Sequence, residues 1–149
     1  MTDTVSPEYA LATRALAAEE RRGDPGDPVA AGDRALGRLR DHLMLWFGPD
    51  GVRALFGRAI SRAAIVHPML ANVRPGPHDG RHLDRINSPV PDERVEYVRE
   101  ALVMLLATLF ALLSRLVGHD LVVVATNQIW PADEGRDDRQ TEPRSRIRE

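Results

Sequence analysis

Apolar residues recur at helical spacing along much of this chain, most regularly between residues 95 and 117. Large apolar residues follow one another there at intervals of three and four, which is the spacing of one face of an α-helix. They form two adjacent rows, and small and polar residues occupy the opposite side. This pattern predicts an amphipathic helix over residues 92–117 whose two rows face a core. The rows are Val95, Val98, Leu102, Leu105, Leu109, Leu112 and Leu116, and then Val103, Leu106, Phe110, Leu113 and Val117.

The same spacing predicts two helices in the first third of the chain. Ser6 and the proline after it favour a helix start, because a serine oxygen can accept bonds from free backbone N–H groups. A first helix is therefore expected over residues 7–22. The sequence GDPGDP at residues 23–28 predicts a linker. Asp27 can then cap a second helix, which is expected to end at Gly48.

Two more helices are predicted around the amphipathic one. A tight turn, GPDG at residues 48–51, should separate the second helix from a third that ends near His67. Residues 121–130 predict the last helix, with Asp120 as its cap and Pro131 as its stop. The valines in this segment also favour a strand. No other segment reads as a strand partner, however, and an isolated strand is not stable.

Together these elements predict an all-α protein, a compact bundle of four core helices plus a peripheral N-terminal helix and a disordered C-terminal tail. The first helix is predicted to be peripheral because its apolar residues are mostly alanine and offer only a thin stripe. The tail is expected to be disordered because it is almost wholly polar and charged. The predicted divisions are an N-terminal arm (1–22), a linker and cap (23–32), the helical domain (33–131) and the tail (132–149).

Composition narrows the class of protein. The chain has 149 residues, of which 43% are hydrophobic and 28% charged, as in one ordinary globular domain. Its net charge of −2 provides no cationic field, so no nucleic-acid partner is expected. The absence of cysteine excludes disulfides and thiolate chemistry. The N-terminus lacks the basic start and apolar run of a signal peptide, so a cytoplasmic location is expected.

The apolar run at residues 101–113 raises the question of a membrane span. It covers about 20 Å of helix, against a hydrocarbon core of about 30 Å. Arg99 and Glu100 precede it, and Arg115 follows closely. The separation of large residues from small and polar ones around this helix is typical of a core helix. No membrane partner is therefore expected.

The densest polar cluster, HDGRHLD at residues 78–84, holds candidate metal ligands. His78, His82 and Asp84 could supply nitrogen and oxygen ligands to a divalent cation. A proline just before the cluster and a glycine within it argue against the helix that would place both imidazoles on one side. These three are therefore weak candidates, and no metal or cofactor is predicted.

The segment that contains this cluster, residues 67–91, also carries three arginines. Arg74, Arg81 and Arg85 are weak candidates for binding an anion such as phosphate, by charge and by forked hydrogen bonds. Loops of this length inside a compact domain are usually functional or disordered. A small-ligand or metal-binding role for this loop is the alternative hypothesis.

Small residues on two helices predict contact with a second copy. Gly57 and Ser61 on the third helix, and Ala107 and Ala111 on the fourth, would let another backbone approach closely. Packing within the chain also explains the regular apolar rows.

No phosphate loop, serine elbow or dinucleotide motif is present. The leading hypothesis is a non-enzymatic interaction or regulatory module that forms a homodimer or binds a protein partner.

Charge is unevenly distributed between the predicted helices. Residues 31–66 carry six arginines and three aspartates, whereas residues 92–120 carry three arginines and five acidic residues. Because their net charges are opposite, the two regions can pack against each other. Alternatively, the arginine-bearing face can meet an acidic partner.

Overall fold

The structure is a computed structural model that describes residues 6–23, 26–72 and 92–131. All regular structure within these ranges is helical, which confirms the prediction of an all-α protein. The predicted tail lies outside them. In chain order the elements are α1 (Pro7–Arg22), α2 (Pro28–Val66), a 3₁₀ turn (Pro68–Asn72), a second 3₁₀ turn (Asp92–Arg94), α3 (Val95–Val117) and α4 (His119–Ile129).

Side-chain caps begin the first two helices where they were predicted. The hydroxyl oxygen of Ser6 accepts a hydrogen bond from the backbone N–H of Tyr9 at 3.1 Å. A carboxylate oxygen of Asp27 accepts one from the backbone N–H of Ala30, also at 3.1 Å. α1 has the predicted bounds, and α2 begins at Pro28, within the segment predicted as linker.

The last helix begins earlier than predicted, and no side chain caps it. Gly118 has a φ of 97°, a region that favours glycine, and it turns the chain between α3 and α4 in a single residue. α4 therefore starts at His119, and Asp120 lies in its first turn instead of capping it. The prediction of a helix for this segment, against the strand alternative, is confirmed.

The second and third predicted helices are two segments of α2, which is interrupted at Gly48. Gly48 has a φ of 74° and a ψ of 175°, a conformation that glycine adopts readily. Pro49 follows as the first residue of the next segment, where its missing N–H matters little. The tight turn predicted at residues 48–51 is therefore a break at one residue. We refer to residues 28–47 and 49–66 as the first and second segments of α2.

α3 occupies the centre of the fold, because it packs against each of the other three helices. Four leucines of the first predicted row are no more than 7% exposed, namely Leu102, Leu105, Leu109 and Leu112, whereas Leu116 at the end of the row is 62% exposed. Full burial of a leucine side chain stabilises a fold by about 1.5–3 kcal/mol. The regular apolar spacing therefore predicted the core face of α3 correctly up to Leu112, but not at Leu116.

α1 is part of the core, which differs from the prediction of a peripheral arm. It packs against both α2 and α3, and Ala12, Ala15 and Leu16 are at most 1% exposed. Because alanine side chains are small, they let neighbouring helices approach closely and bury the whole stripe. The prediction failed because it treated small side chains as a sign of little burial.

α3 is the one helix in the described ranges that is long and apolar enough to cross a membrane, by length and composition alone. Its length corresponds to about 35 Å, so length does not exclude a span, contrary to the expectation from residues 101–113. In its most apolar 18-residue window, 56% of the residues are buried inside the protein. A core helix of a water-soluble protein has the same properties, so α3 is only a weak sign of a membrane.

Candidate functional site

A groove of about 450 Å³ lies between the second segment of α2 and the C-terminal end of α3. This volume is within the range of pockets that hold small organic molecules, roughly 300–1,000 Å³. We name it the arginine groove, because three arginines line it together with apolar side chains. These residues are Arg58, Arg62 and Arg115, with Phe47, Leu55, Leu112 and Leu116.

The arginines of the groove are exposed and come from two helices. Arg58 and Arg62 lie one turn apart on α2, and Arg115 lies near the end of α3. Among the residues that the structure describes, none of the three has a hydrogen-bond or ion-pair partner. Arg53, on the same segment of α2, pairs with Asp50 at 3.5 Å. The positive charge of the groove is therefore uncompensated within the described residues.

The break at Gly48 shapes the wall of the groove. Directly before it stands Phe47, whose side chain lies over the first turn of the second segment. A Cβ atom at Gly51 would lie 2.8 Å from the Cβ atom of Phe47, closer than two carbon atoms pack. A larger residue at this position would therefore force Phe47 or the backbone beside it to shift. Ala54, one turn further on, also lines the groove and adds only a methyl group.

A second group of arginines surrounds the carboxylate of Glu19 on α1, which is 0% exposed. The indole N–H of Trp130 donates a hydrogen bond to this carboxylate at 2.9 Å. The Nε atoms of Arg34 and Arg38 lie 3.3 and 2.5 Å from its oxygens. Such partners are needed, because a buried carboxylate without them strongly destabilises a fold. We name these four residues the Glu19 cluster; it joins α1, α2 and the end of α4.

The next carboxylate along α1, that of Glu20, binds α3. The Nε and Nη2 atoms of Arg99 both donate to one oxygen of Glu20, at 3.0 and 2.7 Å. Glu96 pairs with the same guanidinium. Hydrogen bonding to Glu20 raises the pKa of Arg99 above its ordinary value, although partial burial acts in the opposite direction. These contacts fix α1 against α3, so both carboxylates at the end of α1 stabilise packing.

A glutamate, a serine and a histidine meet where α1 begins and α3 ends. One carboxylate oxygen of Glu8 lies 3.5 Å from the hydroxyl oxygen of Ser114 and 3.6 Å from Nδ1 of His119. In serine hydrolases the imidazole lies between the hydroxyl and the carboxylate, so that it can accept the hydroxyl proton. Here the carboxylate lies between the other two groups. This order does not activate the serine.

Most of the segment predicted to bind a metal or an anion lies outside the described residues. Its start, the turn at Pro68–Asn72, is described, and Leu70 there is buried. Within the described ranges, no group of three or more His, Cys, Asp or Glu side chains could hold a metal ion. Both roles of this segment stay predictions. The candidate residues outside the described ranges are His78, His82, Asp84, Arg74, Arg81 and Arg85.

The small residues predicted to contact a second copy are only partly at the surface. Ser61 is exposed, and Gly57 and Ala111 are half-buried, but Ala107 is only 8% exposed. Ala107 lies two turns before Ser114 on the same side of α3, and Ser114 contacts the start of α1. Because α1 packs on this side, Ala107 does not face outward. The other three residues are named the small-residue face.

Three large apolar side chains are exposed beside the turn between α3 and α4. Leu116 is 62% exposed, Leu121 48% and Val124 50%. The last two share one side of α4, because they are one turn apart. We name the three residues the junction face. Sequence reasoning missed it because apolar spacing placed Leu116 in a core-facing row.

Sequence reasoning also did not single out the arginines that line the groove. The available signal was the one-turn spacing of Arg58 and Arg62 in a region with excess positive charge. The Glu19 cluster left no local signal, because Trp130 follows Glu19 by 111 positions in the chain.

Comparisons of the chain with protein-family models, with curated proteins and with solved structures found no match. No relative therefore assigns a role to the arginine groove, the Glu19 cluster or the junction face. Function has to be inferred from the residues and contacts of this chain.

Proposed function

We propose that this protein is a non-enzymatic helical interaction or regulatory module that self-associates in the cytoplasm. The observation that carries this proposal is the junction face, where Leu116, Leu121 and Val124 are each about half exposed or more. Large apolar side chains exposed as a group mark sites of protein contact. A second copy can cover them around a two-fold axis, which is the commonest symmetry of soluble oligomers.

Charge favours the junction face over the small-residue face as the site of self-association. Gly57 and Ser61 adjoin Arg58 and Arg62 in the chain, and these arginines have no partner among the described residues. A two-fold interface brings the same surface of both copies together, so like charges would meet there. Like charges placed against each other oppose association. On the junction face, Leu116 follows Arg115 in the chain, but Leu121 and Val124 lie on α4, which contains no arginine.

The contacts of the ionisable groups support a binding role over a catalytic one. The carboxylates of Glu8, Glu19 and Glu20 each join α1 to another helix. Groups engaged in this way stabilise packing and are poorly placed to exchange protons with a substrate. The junction face and the arginine groove, by contrast, are open to solvent and are suited to association.

The mass of the protein in solution, measured by light scattering over a range of micromolar concentrations, tests this proposal. We expect a mass that approaches twice the 16.5 kDa of one chain as concentration rises. The double variant Leu121→Glu/Val124→Glu should remain helical by circular dichroism and have the mass of one chain, because it places charge in the apolar contact. Ser61→Glu is the matched control on the small-residue face, and it should still dimerise.

Two results would contradict the proposal. The first is a mass of one chain at every concentration of the unmodified protein. The second is a reversed pattern, in which Ser61→Glu yields monomers and Leu121→Glu/Val124→Glu does not. The second result would show that the protein self-associates through the small-residue face.

A further inference from the structure

We propose that the arginine groove is a binding site for a long-chain carboxylate, that is, a ligand of the fatty-acid class. The carboxylate pairs with Arg58 and Arg62 on one wall and with Arg115 on the other. The alkyl chain lies against the apolar lining. This site goes beyond self-association: it shares Leu116 with the junction face, but it does not involve Leu121 or Val124 on α4.

The pairing of the arginines of α2 points to a missing anion. Four of them contact a carboxylate; the pairs are Arg34 and Arg38 with Glu19, Arg40 with Asp41, and Arg53 with Asp50. The remaining two, Arg58 and Arg62, have no such partner among the described residues, and both line the groove. Arg115 reaches the same groove from α3 and is unpaired within those ranges as well. The arginines of α2 and α3 that have no partner among the described residues therefore all line the arginine groove.

The spacing of these arginines suits a carboxylate. Arg58 and Arg62 are one turn apart, so two like charges lie on the same side of α2 and repel each other. A carboxylate bound between them removes this repulsion. The planar guanidinium fork can donate two parallel hydrogen bonds to the two oxygens of a carboxylate. Arg115 supplies a further donor from the α3 side of the groove.

The apolar lining indicates that the ligand has an apolar part as well as a charged group. An inorganic anion would leave Leu116, which is 62% exposed, and the half-buried Phe47 in contact with water at the groove. An alkyl chain covers these side chains, and removing apolar surface from water favours binding. The groove volume of about 450 Å³ fits a ligand of this size class. A ligand with one carboxylate and one long chain therefore satisfies both parts of the groove.

Isothermal titration of the full chain with sodium laurate, kept below the concentration at which it forms micelles, tests the proposal. We expect saturable binding of one laurate per chain. Acetate, which has the charge without the chain, should bind much more weakly. Dodecyltrimethylammonium, which has a chain of the same length and the opposite charge, should also bind much more weakly, because it meets three arginines.

Variants test whether the groove itself is the site. Arg58→Gln/Arg62→Gln should weaken laurate binding by about tenfold or more, because it removes charge-assisted hydrogen bonds. Arg53→Gln is the matched control, since this arginine lies on the same helix segment but already pairs with Asp50. It should bind laurate like the unmodified protein. Ala54→Trp should block binding without a change of charge, because it fills the groove.

Several results would overturn the proposal. These are no saturable laurate binding, equal affinity in Arg58→Gln/Arg62→Gln, undiminished binding by a folded Ala54→Trp, or equal affinity for dodecyltrimethylammonium. Sedimentation with phosphatidylglycerol vesicles that depends on Arg58 and Arg62, in a protein that does not bind laurate, would assign the groove to a membrane surface instead. Laurate binding should persist in Leu121→Glu/Val124→Glu, so the ligand site and self-association can fail separately.

Discussion

Arginines spaced one turn apart occur in both segments of α2, with opposite surroundings. In the first segment, Arg34 and Arg38 surround the carboxylate of Glu19, which is fully buried. In the second segment, Arg58 and Arg62 line the groove and have no carboxylate partner in the described ranges. The same residue type at the same spacing therefore stabilises the fold in one place and stays available to a ligand in the other. The difference depends on whether a distant helix supplies a carboxylate.

Among the substitutions that test this contrast, Glu19→Ala should have the largest effect on stability. It removes the shared acceptor of the cluster, which leaves the Trp130 N–H buried without a partner. We expect a loss of about 3 kcal/mol in the free energy of unfolding, at the low end for a broken buried ion pair because both arginines are partly exposed. Urea denaturation measures this loss. Glu19→Gln, which keeps an oxygen acceptor but not the charge, should lose less of the free energy of unfolding. An unchanged stability of Glu19→Ala would refute a structural role for the cluster.

Trp130→Phe should have the next largest effect. The indole ring packs edge-on against Phe110 with ring centroids 6.5 Å apart, and a phenyl ring can keep much of this contact. The N–H bond to Glu19 is lost, so we expect the unfolding free energy to fall by about 1–2 kcal/mol. Trp46→Phe is the matched control, because Trp46 is 39% exposed and its ring contacts are with His42 and Phe47. Equal losses in the two variants would speak against a special role for the indole N–H.

Single glutamine substitutions at the two arginine pairs compare them directly. Arg38→Gln should lower the unfolding free energy by about 1 kcal/mol, because its partner is buried while Arg38 itself remains partly solvated. Arg58→Gln should change it by less than about 0.5 kcal/mol, since this side chain is exposed and has no partner in the described ranges. Thermal and urea unfolding of both variants measure the difference. A larger loss for Arg58→Gln would reverse the roles assigned to the pairs.

Ala54→Glu should have the smallest effect on stability, and it should be favourable. It places a carboxylate one turn before Arg58, the partner that the second segment lacks, and should add about 0.3–0.5 kcal/mol. The same carboxylate should compete with laurate for the arginines and weaken its binding. Ala54→Gln controls for side-chain size. Equal laurate affinity of Ala54→Glu and Ala54→Gln would show that the arginines do not bind the ligand.

The starts of α1 and α2 and most of the core face of α3 could be predicted because their signals are local. Ser6 and Asp27 cap the helices that directly follow them, and the three- and four-residue spacing of Leu105 and Leu109 records which side of the helix is buried. The role of α1 was not predictable from the same signal. Its buried side is alanine-rich, and spacing alone does not show whether another helix comes close enough to cover it.

The candidate site depends on contacts between distant positions, so sequence reasoning reached it only in part. The excess of arginine in residues 31–66 is visible in the sequence and suggested an acidic partner. Which arginines are already paired is decided by α1, because Glu19 faces the first segment of α2 and no described carboxylate faces Arg58 or Arg62. The groove also requires the break at Gly48, which the sequence indicated as a turn. Its effect on Phe47 becomes visible only once the second segment is placed.

The most direct measurement of the contrast between the two arginine pairs is a laurate titration of Arg38→Gln and Arg58→Gln side by side. We expect Arg38→Gln, although less stable, to bind laurate with the affinity of the unmodified protein. Arg58→Gln should be as stable as the unmodified protein and bind about tenfold more weakly. An equal loss of affinity in both variants, or in neither, would contradict the division of α2 into a structural and a ligand-binding arginine pair.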